Sequence, residues 1–140
     1  MNTIQVDIVS AEKEIFSGEA QMVFAPAIMG EVGIAPGHTP LVTKMCPGEV
    51  RVMDLEGNES AFYVSGGLLE VQPTIITVLS DTAERAEDLD EAAIIKAKEE
   101  AEKAVNEKDS KIDYAKAQIA LAEAAAQLQT LQRMRKRSGR

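Results

Sequence analysis

An α+β chain in two parts is the fold class this sequence predicts: an all-β domain over residues 1–85, then an antiparallel two-helix hairpin over residues 86–140. Three observations carry that reading. All five prolines and eight of nine glycines precede position 74, and neither residue occurs between Thr74 and Ser138, so the two strongest backbone breakers are confined to the first part. Residues 1–85 hold 4 basic and 12 acidic groups, whereas residues 86–140 hold 11 of each. The apolar spacing also changes, from every second residue to steps of three and four.

In the first part Ile4, Val6 and Ile8 alternate with Gln5 and Asp7, the pattern of a strand with one face buried. Val50 and Val52 flank Arg51 in the same way, and Glu56-Gly57-Asn58 reads as a turn into a strand over residues 61–65. Gly18, Gly30, Gly37, Gly48, Gly57 and Gly66 punctuate these runs at the rhythm of a sandwich or barrel. Residues 22–25 and 75–79 are apolar on both faces, which places them between two packed layers. In the second part Asp88 with Glu91 gives a capping-box-like start to a helix over about residues 89–105. A break over residues 106–110 follows, and Asp109 or Ser110 can cap a second helix reaching about Met134. Along that helix Ala117, Leu121, Ala124, Leu128 and Leu131 form one continuous face.

The hairpin has little to bury. Its expected inward positions in the first helix are Ala93, Ala97, Ala101 and Ala104, and each alanine in place of leucine forfeits roughly 2 kcal/mol of burial, at about 0.8 kcal/mol per CH₂. Alanine nevertheless keeps helix propensity high. The pair therefore suits an arm that can detach while keeping its secondary structure.

Composition excludes several functional classes. The longest stretch without charge, residues 32–43, has 12 residues with two prolines and a histidine, far short of the roughly 20 apolar residues a membrane span needs. No basic cluster followed by an apolar run opens the chain, so no secretory signal is expected. A net charge of −8 disfavours nucleic acid and anionic lipid as partners. A lone Cys46, beside Met45 and Pro47, reads as a buried inert thiol and offers no intramolecular disulfide. His38 lies in the rigid turn Pro36-Gly37-His38-Thr39-Pro40, where a structural or interfacial duty outweighs catalysis. No metal-ligand spacing and no phosphate-binding glycine motif is present, and the Glu and Lys residues of positions 96–103 read as a solvated helix face. The residues point to a non-enzymatic interaction protein whose last eight positions carry Arg133, Arg135, Lys136, Arg137 and Arg140 without an acid.

Three ordered motifs narrow this reading. Gly30-Glu31-Val32-Gly33-Ile34-Ala35-Pro36-Gly37-His38-Thr39-Pro40-Leu41, then Tyr63-Val64-Ser65-Gly66-Gly67-Leu68-Leu69-Glu70-Val71, then Thr77-Val78-Leu79-Ser80-Asp81-Thr82-Ala83 resemble the epsilon subunit of bacterial F-type ATP synthases. Ser10-Ala11-Glu12, Phe16-Ser17-Gly18 and Leu89-Asp90-Glu91-Ala92 extend the similarity over nearly the whole chain; beyond about residue 105 only helicity and terminal basicity are shared.

The resemblance implies a ten-stranded antiparallel β-sandwich that joins the gamma subunit to the membrane ring of c subunits in a proton-driven rotor, without chemistry of its own. It also implies that the helical pair inhibits ATP hydrolysis when extended and permits turnover when folded down. By position, Gly30, Glu31 and Val32 would meet the c ring, and Ser10, His38 and Thr43 would face gamma. Arg133, Arg135 and Lys136 would reach the catalytic alpha and beta subunits. The membrane association it implies is peripheral and indirect, on the cytoplasmic side of a bacterial membrane. Some family members bind ATP through Ile or Leu, Asp, two variable residues, Arg and Ala. Here Leu89 and Asp90 keep the start of that motif, but Ala93 stands where the Arg belongs, so no nucleotide cofactor is expected. A free nucleotide sensor, an enzyme of unfamiliar type and a plain adaptor are the alternatives to the rotor-subunit reading.

Overall fold

Alternation of buried and less buried side chains builds the strands over residues 4–10, 22–27 and 75–80, whereas those over 48–53 and 59–64 bury neighbouring residues on both faces. The computed structural model describes residues 3–107 and 111–137. Its ten strands are β1 (Ile4–Ser10), β2 (Glu14–Ala20), β3 (Met22–Ala27), β4 (Gly30–Ile34), β5 (Leu41–Met45), β6 (Gly48–Met53), β7 (Glu59–Val64), β8 (Gly67–Val71), β9 (Ile75–Ser80) and β10 (Ala83–Arg85). They run in the order β10-β7-β6-β3-β5-β8-β9-β1-β2, with β4 paired to β3. Between β3 and β5 the pairing thins to one bridge, Ala27 to Met45, and there the sheet folds into two layers. Arg85 of β10 donates from Nη2 to the Ile15 carbonyl of β2 at 3.3 Å, so the two ends of the sheet meet.

The expected antiparallel sandwich needs one correction. β1 pairs parallel with β9, from Gln5–Ile75 to Ser10–Ser80, which makes the sheet mixed. A parallel pair requires a long crossover, and the 64 residues between β1 and β9 supply it.

Ile4, Val6, Ile8, Val23, Val50, Val52, Phe62, Val64, Leu69, Val71, Ile76 and Val78 fill the space between the layers. β3 and β9 are not buried on both faces as expected: Phe24 is only half-buried, and Leu79 is 49% exposed. Each layer turns only one face to the other. The outer side of Phe24 is instead covered by the Arg51 guanidinium, 4.2 Å from the ring centroid.

A short 3₁₀ turn (Ala86–Asp88) leads to α1 (Glu91–Glu107) and α2 (Lys111–Arg137). The cap of α1 is Asp90 rather than Asp88: its Oδ1 accepts from the Ala93 amide at 3.3 Å, while Asp88 lies in the 3₁₀ turn. α1 runs two residues past its expected end, and α2 three past Met134. The expected cap of α2, Asp109 or Ser110, lies outside the described residues.

α2 buries the face its spacing predicts, with Ala117, Ala124 and Leu131 inward. α1 does not. Ala93 and Ala97 are exposed, and Ile94 and Ala101 point inward. The larger Ile94 gains more from burial than either alanine, so it sets the rotation of the helix. Ile94, Ala124 and Leu131 form a small second core flanked by Leu89, Leu128 and Met134. α2 then lies on the outer face of β6 and β7.

Candidate functional site

The turn between β3 and β4 projects farthest in apolar terms. Ala27 pairs with Gly30 across a two-residue tip of Ile28 and Met29, and Gly30 takes φ 125°, a conformation that favours glycine. Met29 is 94% exposed and Ile28 55%, an apolar pair held in water where turns usually place Asn or Gly. Neither was singled out by the sequence motifs. Of the expected ring contacts, Val32 packs partly against the core. Glu31 reaches sideways, and its Oε1 accepts from Arg51 Nη2 at 3.1 Å.

Ser10, His38 and Thr43 do not converge. Ser10 is buried at the end of β1, and its hydroxyl serves its own turn, donating to the Lys13 carbonyl at 3.1 Å. His38 sits in the β4–β5 loop with Nδ1 2.6 Å from the Thr39 carbonyl oxygen. Thr43 shares the pleat face of Leu41 and Met45, opposite the buried Leu69. The outward residues beside it are the ones left open. Val42 is 68% exposed, and Leu68 and Leu79, direct cross-strand partners, are each nearly half exposed. Together they put an exposed apolar group on the outer face of β5, β8 and β9, with Lys44 opposite Leu68 and Glu70 opposite Val42 beside it; sequence reasoning missed it, because it placed Leu79 between layers. Cys46 is likewise exposed rather than buried: it follows the inward Met45 by one residue, so the alternation turns it outward.

The cationic end of α2 is already engaged. Arg135 is hydrogen-bonded to Glu91 at the start of α1, which holds the Glu91 carboxyl below the usual carboxylate range. Arg137 donates from Nη1 and Nη2 to both Glu49 oxygens, at 3.2 and 2.8 Å, a bidentate fork of the strong kind. That hydrogen bond is the main reason its pKa is raised. Glu49 belongs to β6, and its side chain is only 2% exposed. Lys136 is exposed. Arg133 lines a groove of about 240 Å³ together with Gly30, Glu31 and Glu49, so the end of the arm and the β3–β4 turn share one neighbourhood. Beside Glu49, Tyr63 is buried with its hydroxyl unpartnered among the described residues. Burial, aided by the Glu123 and Glu84 carboxylates, pushes its phenol well up.

The residues at the start of the incomplete nucleotide motif have structural duties. Asp90 caps α1, Leu89 packs against the second core, and Ala93 is exposed. Among the described residues no cluster of His, Cys, Asp or Glu could hold a metal. The arrangement offers docking faces and a charged seat.

Comparison with known proteins gives a consistent result. Residues 3–86 match the model of the ATP synthase delta/epsilon chain beta-sandwich domain, and residues 87–132 that of the delta/epsilon chain long alpha-helix domain. The chain is 63% identical over 137 residues to an ATP synthase epsilon chain of Nitrosococcus oceani, covering 98% of each. It is 59% identical over 140 residues to that of Alkalilimnicola ehrlichii, covering all of both. Among solved structures, a chain of the Euglena gracilis mitochondrial ATP synthase OSCP/F1/c-ring assembly superposes with TM-score 0.84 at 21% identity, over 94% of this chain and 82% of that one. The last similarity concerns the fold alone.

Proposed function

This chain belongs to the family of ATP synthase epsilon chains, non-catalytic subunits of that complex, and on that premise we propose that it is a central-stalk rotor subunit. In this reading the sandwich joins gamma to the c ring of a proton-translocating enzyme, and the helical arm restrains ATP hydrolysis. The observation that carries it is the open apolar surface: Val42, Leu68 and Leu79 on one outer face, and Ile28 and Met29 at a tip. A rigid two-layer sandwich with two such surfaces can hold a shaft on its face and a ring at its tip. Gly30, Glu31 and Val32 are the ring-side residues, supported by their position beside that tip. Thr43, next to Val42, His38 in the loop before β5 and Ser10 at the end of β1 belong to the gamma side.

The arm is docked by a small second core and by paired charges, a combination that can be released without unfolding α1 or α2. On release Arg135 exchanges Glu91 for carboxylates of the catalytic alpha and beta subunits, and Arg133 and Lys136 act with it. No helix among the described residues is long and apolar enough to cross a membrane, so in this reading the chain meets the membrane only through the complex, on its cytoplasmic side. Deleting the residues after Gln132 and assaying ATP hydrolysis by the reconstituted catalytic complex tests the regulatory half. The expected result is faster hydrolysis; an unchanged rate refutes inhibition by the tail. Pulldown from native membranes tests the mechanical half, with gamma and c subunits expected together. Ala93, at the position of the motif arginine, supplies no charge-assisted contact, so titration calorimetry of the isolated chain is expected to detect no micromolar binding of ATP.

A further inference from the structure

Five charges on the outer face of the sandwich form one connected group. Arg137 of α2 grips Glu49 with two hydrogen bonds and reaches Glu59 Oε2 from Nε at 3.5 Å. Arg51 touches all three carboxylates: Glu49 at 3.7 Å, Glu59 at 3.4 Å and Glu31 at 3.1 Å. Its stacking on Phe24 fixes it in place. We propose that Arg137 is the pin of a latch holding the arm, and that Arg51 ties the pin's seat to Glu31, so that a partner engaging the β3–β4 turn loosens the arm.

The latch follows from desolvation. Glu49 is buried while the arm covers it. Without Arg137, closing the arm would strip this carboxylate of water with Arg51 as its compensation at the longer distance of 3.7 Å. Removing one partner of a buried pair penalises the state that buries the other. Lysine cannot replace the pin fully, because a point charge does not match a two-oxygen seat as a planar fork does.

The link follows from sharing. Arg51 divides its charge among three carboxylates, and Glu31, about half exposed, is the one at the surface. If a donor on a partner takes Glu31, the Arg51 charge falls more fully on Glu49 and Glu59, where it competes with Arg137. Engagement of the turn and seating of the arm are then coupled, with opposite preference. The identification of the turn with the ring side rests on the function proposed above; the charge group is a property of the free chain.

Hydrogen exchange of the α2 amides in the full chain tests both statements, because an undocked helix keeps its shape but, alone in water, opens far more often than a packed one; the β1 and β9 amides are the control for an intact sandwich. Arg137→Gln is expected to speed α2 exchange about tenfold, Arg137→Lys by less, and Glu31→Gln about two- to threefold. Added to Arg137→Gln, Glu31→Gln is expected to speed exchange no further and to slow it slightly, because Arg51 is then freer to compensate Glu49. Unchanged exchange in Arg137→Gln overturns the latch. A Glu31→Gln effect that is absent, or that adds in full to that of Arg137→Gln, overturns the link. Because no partner is present, these outcomes stand apart from the pulldown and hydrolysis assays that test the rotor reading.

Discussion

The two outer faces of the sandwich are built on different principles. The face of β5, β8 and β9 is open and apolar at Val42, Leu68 and Leu79, whereas the face of β6 and β7 is covered by α2 and carries Glu49, Arg51, Glu59 and Tyr63. An apolar face loses most when uncovered, since every exposed leucine forgoes about 1.5–3 kcal/mol of burial. A charged face loses less, because separated ions are rehydrated. The first design suits a joint that stays closed, the second one that opens. In the rotor reading proposed above, the same sandwich presents a permanent contact and a releasable one on opposite sides.

The contrast is broken most severely on the open side. Leu68→Asp with Leu79→Asp places two charges where an apolar partner surface would close, and capture of the gamma subunit is expected to fall by about a hundredfold or more, well beyond the loss of burial alone. Both residues face outward, so the circular dichroism of the free chain should be preserved, while its thermal midpoint should fall modestly because the two carboxylates stand directly opposite each other across β8 and β9. Undiminished capture would move the gamma contact to another face.

On the covered side, Leu131→Ala is the next largest change. Leu131 is buried in the second core with Ile94 and Ala124, and truncating a buried leucine costs about 2–5 kcal/mol, with the low end expected for so small a cluster. The loss should fall on the arm alone: faster exchange in α1 and α2, unaltered exchange in β1 and β9. Exchange that quickened equally in β1 and β9 would mean that arm and sandwich unfold as one unit, and the distinction between the joints would vanish.

Sequence made the strand cores and the α2 face legible because apolar spacing there leaves one solution, as with Ile4, Val6 and Ile8 or Ala117, Ala124 and Leu131. α1 was misread because alanine fits either side of a helix. Among alanines at 92, 93, 97, 101 and 104 stand two adjacent isoleucines, Ile94 and Ile95, and spacing does not say which turns inward; Ile94 is buried and Ile95 exposed. The turn around Gly30 and Glu31 could be found from its motif, but the exposed pair beside it could not, since Ile28 and Met29 look like core residues in a linear reading. The seat of Arg137 was invisible for another reason. Glu49 lies 88 residues away, and a long-range ion pair leaves no periodicity. The outer half of Phe24 was assigned to a second layer because nothing in its neighbours announces that Arg51 lies over the ring.

The smallest expected effect bears on the same covered face and has the opposite sign. Tyr63 is fully buried and pairs across the sheet with Glu49, yet its hydroxyl has no hydrogen-bond partner among the described residues. A buried hydroxyl left unpaired costs about 1–3 kcal/mol, and this cost is borne while the arm covers the β7 face; release lets water reach the oxygen. Tyr63→Phe keeps the ring and removes the penalty. It should therefore tighten the docked arm by about 1 kcal/mol, slowing α2 exchange roughly fivefold. On the regulatory role proposed above, the same change should weaken inhibition of hydrolysis in the assembled enzyme, because a more stable docked arm extends less often. If Tyr63→Phe instead quickened α2 exchange, the hydroxyl would be a supporting contact, and the covered face would hold the arm by more than charge and a small core.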